Sequence, residues 1–374
     1  MKALYLVFHG FSPSNGISKK ILAQVKALNA CDINTARCYY EVRKDGTRMW
    51  KIEDKIISNL GKGFWAKLKK RLYYKPLIQY IIKEQISFIY IRSDHNANPF
   101  TIHFIKKLKQ RGIKIVMEIP TYPYDQEYIT LKNKVNLFID KSFRKKLVSY
   151  LNAVVTFSDQ KEIFGKKTIQ ISNGIDFDRI PLRNKKEKPE NEIHLIAVAE
   201  IHYWHGYDRL IAGMANYYQS SDKPKKKVFF HLIGNFSGER ERKEILPLIE
   251  KNHLKDYVIL HGALYGKGLD DLFDLADIGI GSLARHRSNI TYIKTLKNRE
   301  YAARGIPFIY SEFDDDFETK TYVMKISADE TPINIVELIK FYAQLSISAE
   351  DIRNSIQFLS WKNQMQIVLS KLYL

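Results

Sequence analysis

The stretch LKNREYAARGIPFIYSE, residues 296–312, sets Lys297 and Glu300 one helical turn apart, ahead of a Gly305-Ile306-Pro307 break and an apolar run. A lysine in the first turn of a helix adds a cation to the free N–H groups and positive dipole end, a combination suited to phosphate. A carboxylate one turn further on can accept two hydrogen bonds from a diol. The same spacing is that of a routine surface pair worth a few tenths of a kcal/mol, so the stretch by itself leaves both readings open. Other polar groups stand where strands should end: Arg92, Asp94 and His95 in IRSDHNANP (91–99), and Glu118 in MEIPTYPYDQE (117–127). Asp94 or Glu118 could equally pair with Arg92 for structure alone. The loop FSPSNGIS (11–18) carries Gly16, where a missing Cβ lets backbone approach a ligand closely. HNAN has no metal-ligand spacing, and the acidic run EFDDDFE (312–318) reads as a solvated loop rather than a metal site.

The 374 residues exceed one ordinary core and suit two domains, and 45% hydrophobic residues is the composition of a folded globular chain. No apolar run is long enough to span a bilayer, and MKALYLVFHGFSPSNG lacks the cleavage site of a signal peptide. Cys31 and Cys38 have no metal-ligand spacing and fit a reducing cytoplasm. A cytoplasmic location is therefore expected. The net charge of +19 attracts anions without choosing among nucleic acid, anionic lipid and phosphorylated small molecules. Its distribution says more. KGFWAKLKKRLYYKPLIQYIIK (62–83) interleaves Lys and Arg with Phe64, Trp65, Tyr73 and Tyr74, as does a basic amphipathic segment lying on an anionic membrane surface through 62–75. A helix face packed on its own domain is the alternative. A nucleic-acid reader would need a recognisable motif, and none is present, so nucleic acid is not an expected partner.

The elements that must position these residues alternate. KALYLVFHG, FIYIRS, KIVMEIP, LNAVVTFS and KTIQISNGI read as strands; ISKKILAQVKALNA and PFTIHFIKKLKQRG have helical periodicity. The charged PLRNKKEKPENE (181–192) reads as a linker or exposed loop between domains. Strand–helix alternation then restarts at IHLIAVAE and runs through IPFIYS, and the closing segment is helical, with Trp361 near its middle. This order predicts an α/β chain of two Rossmann-like doubly wound domains facing a central cleft, spanning 1–178 and 179–357, with a terminal helix (358–374) packing back on the first. Neither half carries a G-x-G-x-x-G or P-loop fingerprint.

Four segments bear a family likeness: ISNGID (171–176), AVAEIHYWHGYDRLIAG (197–213) with Gly206 and Asp208 in register, ADIGIGSL (276–283), and LKNREYAARGIPFIYSE. Together they resemble the retaining glycosyltransferases of GT-B architecture, in the large family 4 class that uses nucleotide-sugar donors. The resemblance implies a nucleotide-diphosphate sugar as co-substrate, no bound metal or other cofactor, and transfer to a hydroxyl of a glycan or lipid-linked glycan precursor in bacterial surface polysaccharide synthesis. It places Glu300 on the donor ribose and Lys297 on the diphosphate. His205 is a further catalytic candidate, as a donor to phosphate. Gly16, Gly206, Arg209, Ser288, Asn289 and Thr291 complete the expected donor set, and Arg92, Asp94, His95 and Glu118 the acceptor set.

The chain departs from the family pattern at three points. Tyr292 stands where a second glutamate is usual, and Glu200 and His205 stand where an arginine and a lysine are usual. Lys297, Arg285, Arg287 or Arg209 could offset the missing cations. A nucleotide-sugar epimerase or hydrolase of the same architecture, or a nucleotide-sugar-binding scaffold, remain alternatives.

Overall fold

The computed structural model describes every residue except 12–15, 126–130, 222–225 and 374. The chain forms two compact units, Met1–Ser172 with Trp361–Leu374, and Asn173–Ser360.

The first unit holds strands β1 (Lys2–Leu6), β2 (Asn34–Val42), β3 (Arg48–Ile52), β4 (Lys55–Gly61), β5 (Phe88–Arg92), β6 (Lys114–Ile119), β7 (Ala153–Thr156), β8 (Glu162–Ile163) and β9 (Lys166–Gln170). They lie in the order β4-β3-β2-β1-β5-β6-β7-β9-β8. Its helices are α1 (Gly16–Asn29), α2 (Gly63–Leu72), α3 (Lys75–Lys83), α4 (Pro99–Lys109) and α5 (Leu131–Ser149). The parallel centre has β1 flanked by β2 and β5, in register Leu4 with Ala36 and Ile89. Strand β1 can be apolar from Ala3 to Leu6 because both faces are covered. Leu4 and Leu6 pack with residues of α3 and α4, and Ala3 and Tyr5 with residues of α1 and the terminal helix. Residues 34–61, on which no strand was expected, extend the sheet as an antiparallel meander. The long helix α5 was likewise not anticipated. Its exposed face carries Val135, Phe138 and Ile139, which blurs the apolar periodicity.

The second unit holds β10 (Glu192–Val198), β11 (Lys227–Ile233), β12 (Val258–Gly262), β13 (Ile278–Ile280), β14 (Phe308–Tyr310) and β15 (Val323–Lys325), all parallel, in the order β12-β11-β10-β13-β14-β15. Helices α6 (Tyr207–Gln219), α7 (Glu239–Lys251), α8 (Lys267–Leu275), α9 (Leu296–Ala303), α10 (Ile335–Ala343) and α11 (Ala349–Asn354) connect and flank them. The last helix, α12 (Trp361–Tyr373), belongs to the first unit and packs on α1. Trp361 opens α12 instead of lying within a longer helix.

The charged segment 181–192 is a strap within the second unit, not a connection between units. Its Arg183 N–H donates to Arg304 O (3.0 Å), Asn184 N–H to Asp274 Oδ1 (2.8 Å) and Lys186 N–H to Asp274 O (3.0 Å). Its lysines read as linker composition, yet Lys188 is ion-paired with the buried Asp277.

Candidate functional site

In the second unit the chain reverses direction of growth between β10 and β13, both of which have neighbours added outward from them. Such a switch point opens a crevice at the carboxyl ends of the strands, and ligands bind there. The two loops that leave it are stitched together. Gly206, with φ of +64°, lies so close to the second loop that a Cβ would come within 2.7 Å of Ala284 Cβ. Leu283 N–H donates to His205 O at 2.8 Å. His205 is buried, its Nδ1 accepts the His202 N–H at 3.1 Å, and its ring stacks on Tyr207. Burial, then Lys297 and Arg285, hold its pKa well below the ordinary imidazole value. The ring is therefore neutral, with its proton on Nε2, and is a donor. The Arg285 guanidinium lies over the Trp204 ring at 5.3 Å, and Trp204 stacks on His202 at 4.1 Å.

Helix α9 starts beside this point. Its N-cap residue Thr295 makes no side-chain cap, so the first-turn N–H groups rely on other partners. Lys297 Nζ lies 3.4 Å from the Tyr207 hydroxyl. Burial and the nearby Arg285 lower its pKa, while burial raises that of Glu312 against the pull of Arg285 and Lys297. Glu300 points elsewhere, to Arg304 Nε at 3.1 Å, and Arg304 also meets Asp270 at 2.8 Å. The two residues are thus not the surface pair their spacing allows. Gly281, leaving β13, lets Asn298 Oδ1 come within 2.9 Å of where a Cβ would be. Among the described residues, Ser282 Oγ, Thr295 Oγ1, Asn298 Oδ1 and Glu312 Oε2 are buried without a hydrogen-bond partner. Each such atom costs about 1–3 kcal/mol, so four in one place mark a site shaped for something other than stability.

The first unit also has a switch point, between β1 and β5. Glu118 there is fully buried and engaged on both oxygens. Oε1 meets Lys20 (3.2 Å) and Arg92 (2.7 Å), and Oε2 accepts from Gln24 (2.6 Å) and Tyr90 (2.8 Å). Burial would raise its pKa, but Lys20, Arg92 and these hydrogen bonds bring it below the ordinary value. Asp94 is partly exposed and lies 3.4 Å from Lys70 and 3.6 Å from Arg71. His95 has a left-handed backbone and stacks on Tyr124 at 3.7 Å, its pKa lowered by burial. A small cavity beside them is lined by Asp94, Asn96, Thr101, Tyr124, Asp140 and Arg144. Gly16 is exposed at the start of α1, with nothing within 4 Å of a Cβ placed there. The rest of its loop, residues 12–15, lies outside the described residues, as do Gln126 and Glu127.

No protein-family model matches the chain, and no curated protein matches its sequence. Solved structures do match along nearly the whole length. Sucrose-phosphate synthase from Thermosynechococcus elongatus superposes with a TM-score of 0.68 at 15% identity, over 100% of this chain and 99% of that one. HepE of Anabaena in complex with UDP gives 0.62 at 15%, over 99% and 100%. The catalytic domain of starch synthase IV from Arabidopsis thaliana, bound to ADP and acarbose, gives 0.61 at 12%, over 99% and 98%. The chain has the GT-B fold.

Within this GT-B chain several expected donor ligands hold the site together. Arg209 is buried, donating to Thr331 O (2.8 Å), Leu283 O, Ser327 O (3.1 Å) and Asp329 (3.0 Å). Arg287 grips Asp208 with two bonds (2.9 and 2.7 Å) and also pairs with Glu330. Ser288 Oγ donates to Arg285 O at 2.9 Å, Asn289 takes a left-handed turn, and exposed Thr291 accepts the Phe313 N–H at 2.7 Å. Tyr292 is half-buried and hydrogen-bonded to Asp315, and burial raises its pKa. Glu200 is exposed.

The acidic run is not solvated as expected. Arg299, fully buried, donates to Asp314 (2.6 and 3.0 Å), to Asp316, and to Asn173 O (2.9 Å), while Lys294 holds Asp315 at 2.7 Å. Asn173 in turn donates to Lys294 O. This network fastens the Asn-Gly turn, the N-terminus of α9 and the 312–318 loop to one another. Sequence reasoning missed Arg299. Its only signal was a basic residue beside a helix start, followed by an acidic run.

Proposed function

We propose that the chain is a retaining glycosyltransferase. It moves a sugar from a nucleotide-diphosphate sugar to a hydroxyl of a glycan or lipid-linked glycan precursor, as in bacterial surface polysaccharide synthesis. The observation that carries this reading is the convergence at the β10–β13 switch point of Arg285, Lys297, the His205 Nε2 donor and the uncapped start of α9. The likeness to a GT-B structure holding UDP supports it.

In this reading the donor diphosphate sits on the first-turn N–H groups of α9, with Lys297 and Arg285 as cations. Glu300 accepts hydrogen bonds from the ribose diol. As the anomeric bond to the phosphate oxygen breaks, negative charge grows on the leaving diphosphate. The preorganised cations and donors stabilise it there without reorganisation. The acceptor hydroxyl forms the new bond at the anomeric carbon, and its proton passes to the departing phosphate oxygen. Arg209, Arg287 and Arg299 hold the loops that present these groups.

A thermal-shift panel of uridine, guanosine, adenosine and thymidine diphosphates tests the reading, because specific binding raises the melting point by mass action. At least one should shift the wild type and fail to shift Lys297→Ala. A flat panel overturns the assignment. The scaffold alternative draws on Tyr292, which replaces an acid in the family pattern. Nucleotide binding without sugar transfer to any glycan acceptor would favour it.

A further inference from the structure

The first unit presents an apolar and basic face that the donor reading does not use. On α2, Phe64 and Trp65 are 67% and 72% exposed and meet edge to face at 5.7 Å. On α5, Val135, Phe138 and Ile139 form an i, i+3, i+4 stripe, with Phe138 73% exposed, while Leu137, Asp140, Leu147 and Val148 are buried. Arg71 donates to Asn136 Oδ1 at 3.4 Å, which sets the last turn of α2 against the first half of α5. Helix α4 packs against both and exposes Phe100 at its start.

Charge identifies the occupant. From Lys62 to Lys83 there is no acidic residue, and the one in α5, Asp140, is buried and hydrogen-bonded to Tyr124 (2.6 Å) and the Ala97 N–H (3.0 Å). Lys67 and Lys69 are exposed on α2, Lys75 at the start of α3, and Lys134, Lys145 and Lys146 on α5. A second copy meeting this face on itself would set lysine against lysine. Carboxylates from neighbouring elements pair with some of these cations, Asp45 with Lys62 (3.0 Å), Asp94 with Lys70 (3.4 Å) and Asp125 with Lys141 (3.0 Å), but the exposed lysines remain in excess around the rings. Exposed aromatic rings among excess cations fit the boundary between water and anionic lipid headgroups, where apolar rings bury and lysine ammonium groups stay hydrated. Among the described residues no helix is long and apolar enough to cross a membrane. We propose that the α2–α4–α5 face docks reversibly on an anionic lipid bilayer, with Phe64, Trp65 and Phe138 entering the headgroup boundary.

The proposal needs no nucleotide, so its failure and that of the transferase reading are separable. Full-length protein is sedimented with vesicles of phosphatidylcholine alone or mixed with phosphatidylglycerol, at low and high salt, while tryptophan emission is followed with brominated lipid as quencher. Of the four tryptophans, Trp50 and Trp361 are buried and Trp204 is half-buried in the second unit, so the quenching lost in Trp65→Phe is that of Trp65. The expected result is binding to the anionic vesicles at low salt, weakened by salt, with Trp65 quenched. Lys67→Glu with Lys69→Glu should lower the partition coefficient about tenfold or more, and Phe138→Ser should lower it too, with circular dichroism unchanged. No binding to anionic vesicles at low salt, an unquenched Trp65, or binding unaffected by both variants would overturn the proposal. So would a concentration-dependent dimer that Phe138→Ser abolishes.

Discussion

The Arg299 guanidinium and the Asp314 carboxylate form a two-pronged ion pair at 2.6 and 3.0 Å with neither side chain exposed to solvent. The pair closes the 312–318 loop over the helix that carries Lys297 and Glu300. Removing one partner leaves the other charge buried and uncompensated, which costs about 3–5 kcal/mol. Asp314→Ala should therefore lower the urea midpoint sharply and weaken nucleotide binding, although Asp314 is fully buried. An unchanged midpoint would show that the loop is held by Asp316 and Lys294 alone.

Glu300→Ala should weaken nucleotide-sugar affinity at least about tenfold, or about 1.4 kcal/mol, with the fold retained. Glu300 is partly exposed, and its partner Arg304 keeps Asp270 after the change. Calorimetric titration with the donor identified by the panel measures this. Normal affinity in the mutant would remove Glu300 from the ribose.

Lys297→Ala should reduce kcat more than it weakens donor binding, because its charge matters most as the phosphate leaves. Initial-rate kinetics alongside calorimetry separates the two quantities. Equal losses would make the lysine a ground-state contact.

The depressed pKa of Lys297 also makes donor binding pH-dependent. Burial and Arg285 lower the pKa in the free protein, and a bound diphosphate raises it again. Above the depressed value, binding must take up a proton. Affinity should then fall as the pH rises toward the ordinary lysine value of about 10.4. Calorimetry in buffers of different ionisation enthalpy reads the proton uptake, which should vanish in Lys297→Ala.

A chain of histidines crosses the second sheet. His194 Nδ1 meets His231 Nε2, and His231 Nδ1 meets His261 Nε2, both at 2.9 Å. Burial, then its two neighbours, brings the His231 pKa down to about 3. Unfolded, the same ring titrates near 6.5. Above that pH both states are neutral and nothing is lost. Below it the unfolded chain binds protons that the native one refuses, so stability should fall as the pH drops from about 6.5 toward 3. Urea midpoints at pH 7 and 5 should differ less in His231→Leu than in the wild type.

The sequence by itself determined the two α/β units, most of the parallel strands and the helix bearing Lys297 and Glu300. Strands such as KALYL and EIHLIAV are covered on both faces and so are mostly apolar after their first residue, His194 being the polar exception, a pattern that needs no partner to be read. The meander over residues 34–61 escaped notice because strands such as RMWKI and KIISNLG neither alternate strictly nor run apolar for long, so neither strand pattern stands out. The fate of the charges was decided only in three dimensions. Arg209 finds Asp329, Lys20 finds Glu118 and Arg299 finds Asp314 through the strand order, and a charge on its own looks the same whether it will meet solvent, a carbonyl or a ligand. Tertiary structure therefore turned Arg209 and Arg287 to hold loops, and Glu118 inward to tie α1 to β5. It left Lys297, Arg285 and His205 together at the switch point, because only the order β12-β11-β10-β13-β14-β15 brings the ends of β10 and β13 side by side.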